Sequence, residues 1–156
     1  MTNAEKLVNI LIEKGYRISC AESCTGGKLT GAIVDVADAS KVLDASIVTY
    51  SNESKIKYLG VKKETLARYG AVSEETAREM ALGIAKANLA QIGVGVTGLA
   101  GPGGGTKDKP VGMVCFGFFI SGEITTVTKQ FGDIGRNQVR EKSVEFVLET
   151  LIEMLK

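Results

Sequence analysis

Ser23, Cys24 and Thr25 stand side by side in the stretch Ala21-Glu22-Ser23-Cys24-Thr25-Gly26-Gly27, so three candidate nucleophiles precede a pair of glycines. None of them reacts without a group to take its proton. The 156-residue chain contains no histidine, which removes Ser-His-Asp triads, Cys-His dyads and imidazole metal sites together. Any general base must then be a lysine, a carboxylate or a tyrosine. Lys55 is the lysine of most interest. It follows the end of an apolar run and lies near the start of a helical pattern, where the helix dipole and partial burial both disfavour its charged form. A neutral amine there would be able to deprotonate Ser23. Spacing by itself describes an ordinary solvated helix lysine, and Lys28, Lys57, Lys62 and Lys63 show how common the residue is in this chain.

A second segment with chemical potential is Thr97-Gly98-Leu99-Ala100-Gly101-Pro102-Gly103-Gly104-Gly105-Thr106. Its glycines and proline forbid regular structure and leave many N–H groups free, and it directly follows an apolar strand pattern, as ligand loops do. Backbone donors between Gly98 and Gly103, or those of the Ser23 turn, are candidates for holding a developing oxyanion. The free N–H groups of Thr25, Gly26 and Gly27 at a helix start are equally suited to a phosphate. Sequence leaves that assignment open. The glycine loop lacks the G-x-x-x-x-G-K-[ST] spacing of a P-loop and does not open a helix, which also excludes a dinucleotide fingerprint.

Periodicity supplies the elements that must position these residues. Thr2 and Glu5 have capping-box spacing, and Ala4, Leu7, Val8, Leu11 and Ile12 form a helical stripe ending at Gly15. Ile18 and Cys20 mark a strand, and a helix is expected from Thr25 to about Val36. Leu43 to Tyr50 reads as a second strand, and Ser51 to Ser54 cap a short helix ended by Gly60. Val61 to Gly70 is a charged connector with one or two helical turns, and Ser73 starts a clear helix. Ile92, Val94 and Val96 alternate with Gly93, Gly95 and Thr97, a strand with one face nearly bare. Something must pack close to that backbone, either a neighbouring helix, which we favour, or a ligand. Val111 to Ile120 and Glu123 to Phe131 flank the hairpin signal Ser121-Gly122, and a helix bearing Val139, Phe146, Val147, Leu151 and Met154 closes the chain. This order predicts one domain over residues 1–156, a three-layer α/β/α sandwich with a mixed, mostly parallel five-stranded sheet ending in an antiparallel hairpin. Ligands of such sheets bind where loops leave the carboxyl ends of the strands.

Composition narrows the function classes. A hydrophobic fraction of 44% suits one globular core, and a formal charge of +1 with dispersed Lys and Arg argues against a nucleic-acid groove or a membrane patch. No signal core or membrane-length apolar segment is present, so the chain reads as soluble and cytoplasmic. The cysteines Cys20, Cys24 and Cys115 cannot all pair with one another and lack zinc-site spacing, and read as reduced packing residues.

Ala21 to Gly27, Val48-Thr49-Tyr50-Ser51-Asn52-Glu53, Gly70-Ala71-Val72-Ser73-Glu74 and Thr97 to Thr106, followed by Lys109-Pro110-Val111-Gly112, resemble the C-terminal domain of the competence/damage-inducible CinA family. The resemblance covers nearly the whole chain in order, but not the pyrophosphatase-associated N-terminal domain of full-length relatives. It implies the activity of the family's stand-alone members, nicotinamide-nucleotide amidases. These hydrolyse the carboxamide of nicotinamide mononucleotide to nicotinate mononucleotide and ammonia, in pyridine-nucleotide recycling, with no metal or cofactor. It carries the nucleophile role onto Ser23 and the base role onto Lys55, and places Tyr50 and Asn52 beside the site. With the residues above, the expected substrate-binding or oxyanion set is Thr25, Gly26, Gly27, Tyr50, Asn52, Thr97, Gly98, Ala100, Gly101 and Gly103. The expected partner is the nucleotide substrate, with no nucleic acid or membrane and with self-association left open. A non-catalytic nucleotide-binding or interaction module is the alternative. Ser54 departs from the alanine common in relatives just before the lysine.

Overall fold

Five strands, β1 (Ile18–Glu22), β2 (Ile47–Val48), β3 (Ile92–Gly98), β4 (Met113–Ile120) and β5 (Glu123–Gln130), form a single sheet in a computed structural model that describes residues 1–156. Their order is β2-β1-β3-β4-β5. β1 runs parallel to β2 and β3, while β4 runs antiparallel to both β3 and β5. Four strands therefore point one way and β4 alone is reversed, the mixed sheet that the sequence pattern predicts. Six α-helices cover it: α1 (Asn3–Lys14), α2 (Lys28–Val34), α3 (Asn52–Leu59), α4 (Lys63–Tyr69), α5 (Glu74–Asn88) and α6 (Arg136–Met154). No helix is long and apolar enough to cross a membrane.

Local chemistry sets the helix starts that matter for the site. Thr2 and Glu5 exchange hydrogen bonds in a capping box at α1. Ser51 and Ser73 cap α3 and α5, accepting from the N–H groups of Ser54 and Thr76. Two elements differ most from the sequence reading. The helix expected from Thr25 begins at Lys28, because Gly26 and Gly27 take the left-handed φ values 55° and 99°, and it ends at Val34. The strand expected over Leu43 to Tyr50 shrinks to Ile47–Val48, preceded by a 3-10 turn at Ala39–Lys41 and a lone bridge from Leu43 to Ile18. Asp44, Ala45 and Ser46 are weak strand formers, and the Ser46 hydroxyl, not a backbone carbonyl, takes the Cys20 N–H. The charged connector contains α4, which spans seven residues.

The two faces of the sheet are packed differently. α1, α2 and α6 bury a cluster of 23 apolar residues against one face, whereas the cluster under α3 and α5 has five. The second face has little room for side chains because the α5 backbone lies directly on the strands. A Cβ at Gly93 would fall 2.3 Å from the carbonyl oxygen of Ala81, and one at Gly95 or Gly117 would fall 2.4 Å from that of Ala77. The bare face of β3 therefore belongs to a helix, as favoured from sequence, and not to a ligand. Since a closely packed interior cannot absorb such an overlap, Gly95→Ala is expected to lower stability by about 3 kcal/mol in urea denaturation. A loss within about 0.5 kcal/mol would mean that α5 is free to lift from the sheet.

Candidate active site

Ser23 follows the last residue of β1, where its N–H donates to Val96 of β3 and its carbonyl accepts from Gly26 N–H. These bonds tie the serine to β3 and to the turn that follows it. Lys55 comes from the first full turn of α3, with its N–H on the carbonyl of the capping Ser51. Its side chain is 1% exposed, and Nζ lies 3.0 Å from Ser23 Oγ. Nζ also donates to the carbonyl oxygens of Thr49 at 2.7 Å and Tyr50 at 3.2 Å. No carboxylate pairs with it, the three ion pairs of the chain lying elsewhere on the surface.

Burial lowers the Lys55 pKa from the ordinary 10.5 to about 8. The opposing influence is the Cys24 thiol, but burial pushes that group up to about 12, so it stays neutral wherever the amine titrates. The contacts of Lys55 suit both protonation states. An ammonium has three donors and three acceptors here; a neutral amine has two hydrogens for the two carbonyls and a lone pair left for the Ser23 hydroxyl. This is a preorganised arrangement for taking the serine proton.

The pair opens into a cavity of about 260 Å³ between the ends of β1, β2 and β3. Tyr50, Thr97, Gly98, Ala100, Gly101 and Gly103 line it with Ser23, Cys24 and Lys55. Leu99 N–H is committed to Met113, whereas Ala100, Gly101 and Gly103 donate to no protein acceptor. Thr25, Gly26, Gly27 and Asn52 do not line the cavity. Thr25 is buried beneath the turn, Gly26 and Gly27 lead away into α2, and Asn52 is an exposed first residue of α3. Most of the proposed phosphate cradle at Thr25 to Gly27 is taken from within: Gly26 N–H donates to the Ser23 carbonyl and Gly27 N–H to Glu22, and only Thr25 N–H stays free. The buried Glu22 carboxylate accepts from the N–H groups of Gly27 (3.2 Å), Leu29 (3.0 Å) and Thr30 (2.9 Å), and from the Thr30 hydroxyl at 2.6 Å. A helix start that favours an anion has received one from its own chain.

Sequence reasoning missed Arg136. This first residue of α6 lines the cavity, donating to the Gly101 carbonyl at 2.7 Å and to the Tyr50 hydroxyl at 3.0 Å, and so bridges the rims. The available signal was electrostatic: α6 opens on a cation and has no acidic residue in its first turn, against the usual preference. Guanidinium and helix end together make this rim the place for an anionic group. No three carboxylate or thiol groups converge anywhere as a metal site would require. A larger surface groove of about 420 Å³ between α2 and α6, lined by Lys28, Glu141 and Glu145 among others, contains no nucleophile next to a base.

The profile of the CinA C-terminal domain matches residues 1–155. The chain belongs to that family. It is 52% identical to a CinA-like protein of Kosmotoga olearia over 145 residues, 93% of this chain and 35% of that protein. It is 53% identical over 141 residues to a putative competence-damage inducible protein of Clostridium acetobutylicum, covering 90% and 34%. The chain thus spans about a third of the length of these relatives. Among solved structures, a competence or damage-inducible protein from Enterobacter asburiae superposes with a TM-score of 0.95 at 40% identity, covering 99% of this chain and 96% of that one. One from Agrobacterium tumefaciens gives 0.93 at 41%, covering 100% and 98%. The Ser54 hydroxyl donates to the Ser51 carbonyl at 2.8 Å and makes no hydrogen bond with Lys55 Nζ.

The Lys55 pKa carries a signed expectation for Ser23. Modification of Ser23 by a fluorophosphonate, followed by mass spectrometry, should speed up roughly tenfold per pH unit up to about 8 and then level off as the amine loses its proton. A rate independent of pH across that range would remove Lys55 as the base.

Proposed function

We propose that this chain is a nicotinamide-nucleotide amidase, converting nicotinamide mononucleotide to nicotinate mononucleotide and ammonia through an acyl-enzyme. The observation that carries this reading is the buried, carboxylate-free contact of 3.0 Å between Lys55 Nζ and Ser23 Oγ at the wall of a cavity. Lys55 takes the Ser23 proton as Oγ attacks the carboxamide carbon, and free backbone N–H groups hold the oxyanion. The protonated lysine then gives its proton to the departing nitrogen, and ammonia leaves. Water, activated by the same amine, cleaves the ester to release the carboxylate and restore Ser23. The cationic pyridinium ring withdraws electrons from the amide and favours the attack.

Arg136 and the start of α6 supply positive charge suited to the 5′-phosphate, and Tyr50 links that rim to Lys55, accepting from Arg136 at its hydroxyl and from Lys55 at its backbone carbonyl. The Glu22 carboxylate closes the competing anion site at α2. The phosphate contact distinguishes a nucleotide from its fragments, because nicotinamide and its riboside lack the group that Arg136 would hold.

Ammonia release should accordingly be efficient with nicotinamide mononucleotide and far weaker with nicotinamide riboside or nicotinamide. Ser23→Ala should reduce kcat by about 10³-fold or more, and Cys24→Ala should leave it within a few-fold, since burial keeps that thiol protonated. Nucleotide binding without ammonia at any pH between about 6 and 10 would favour a binding module instead.

Lys55→Met should cut kcat by about 10²-fold or more while the protein melts no lower than the parent at neutral pH. The sign follows from the lowered pKa. Between about 8 and 10.5 the folded state holds fewer protons than the unfolded state, so the native lysine stabilises less below that window than above it. A large drop in melting temperature would mean that the side chain is needed for packing more than for proton transfer.

A further inference from the structure

The turn that carries Ser23 is held from above by an arginine for which the proton-transfer scheme has no use. Arg140, on the second turn of α6, donates from Nε to the Cys24 carbonyl at 3.0 Å and from one terminal nitrogen to the Thr25 carbonyl at 3.1 Å. Its other terminal nitrogen donates to Asn137 Oδ1 at 3.1 Å, which fixes the plane of the guanidinium. The half-buried fork therefore grips two consecutive peptide units just after the nucleophile. The fork packs closely over the turn: a Cβ at Gly26 would lie 3.3 Å from its terminal nitrogen.

The other ends of these peptide units are unpaired. Neither Cys24 N–H nor Thr25 N–H has a protein acceptor, and the fully buried Thr25 hydroxyl has none either. In a trans peptide the N–H points opposite to its carbonyl. The Arg140 bond to the Cys24 carbonyl thus directs the Thr25 N–H away from α6, and its charge polarises that amide into a stronger donor. Glu22 secures the turn from the other side by engaging Gly27, Leu29 and Thr30, which keeps the two free donors from being drawn into α2.

We propose that Arg140 is a positioning residue that fixes the turn after Ser23 so that the free N–H of Cys24, which lines the cavity, serves as an oxyanion donor, leaving the glycine loop and Arg136 to hold the rest of the substrate. The inference rests on the Ser23–Lys55 hydrolase reading and goes beyond it by choosing between the two loops that sequence left open. Arg140 stabilises charge that exists only after Ser23 attacks, so its loss acts on kcat and spares KM.

Three measurements on the full chain test it. In Arg140→Ala, kcat for nicotinamide mononucleotide should fall about 10- to 100-fold, toward the loss seen when an oxyanion donor is removed, with KM within about twofold. Added guanidinium should recover part of that rate. Arg140→Lys, which keeps charge but cannot make both bonds, should be intermediate and retain the parent pH midpoint, because Arg140 does not act through Lys55. If Arg140→Ala does not fold, the kcat of Arg140→Lys decides alone. A substrate-independent control is modification of Ser23 by a fluorophosphonate, in which the Oγ–P bond forms, the P–F bond breaks and fluoride departs. No reaction in the parent would defeat the hydrolase reading itself. Equal rates in the parent and in Arg140→Ala, or a loss confined to KM, would overturn the role of Arg140 while leaving Ser23 and Lys55 in place.

Discussion

The arrangement depends on one constraint: an amine removed from water without an opposite charge. Had a carboxylate been within reach, Lys55 would hold its proton well above neutrality and could not accept another. Two carbonyls stand in for it, those of Thr49 and Tyr50, which satisfy hydrogens in either protonation state but add no full charge. Those carbonyls are available because β2 stops at Val48 and the chain turns into α3 capped by Ser51. The brevity of that edge strand is thus part of the site. A longer β2 would have taken these groups into its own geometry and drawn α3 away from Ser23.

Much of this was legible in the sequence, for identifiable reasons. Capping residues at Ser51 and Ser73 mark helix starts by local chemistry alone, and the alternation of Ile92, Val94 and Val96 with glycines announced a strand pressed against a helix. The absence of histidine narrows the base to a lysine, a carboxylate or a tyrosine. What spacing could not reveal was contact. Ser23 and Lys55 are 32 residues apart and meet because β1 and β2 pair in parallel, which local periodicity does not encode. Family resemblance supplied the pairing in advance of the geometry.

The errors are equally specific. The helix start at Thr25 to Gly27 looked like an anion site, since nothing in the pattern said that the preceding Glu22 folds back to occupy it. The strand expected over Leu43 to Tyr50 is confined to Ile47–Val48 because Asp44, Ala45 and Ser46 have poor strand propensity. Arg136 and Arg140 escaped notice because the closing helix was read for its apolar side. Arg140 acts on a turn 116 residues earlier in the chain, beyond any local motif. A cation at the head of α6, where acidic residues are the norm, is nevertheless a visible irregularity, and both arginines have carbonyl oxygens as partners.

The contact between α5 and the central strands has a consequence for how this sequence is able to change over time. Where large side chains meet, growth on one partner can be matched by shrinkage on the other, and mutations drift in compensating pairs. Gly93, Gly95 and Gly117 have nothing left to surrender opposite Ala77 and Ala81. Drift at this seam is therefore one-sided: a larger residue on the strands meets the backbone of α5, which has no atom to give up in exchange.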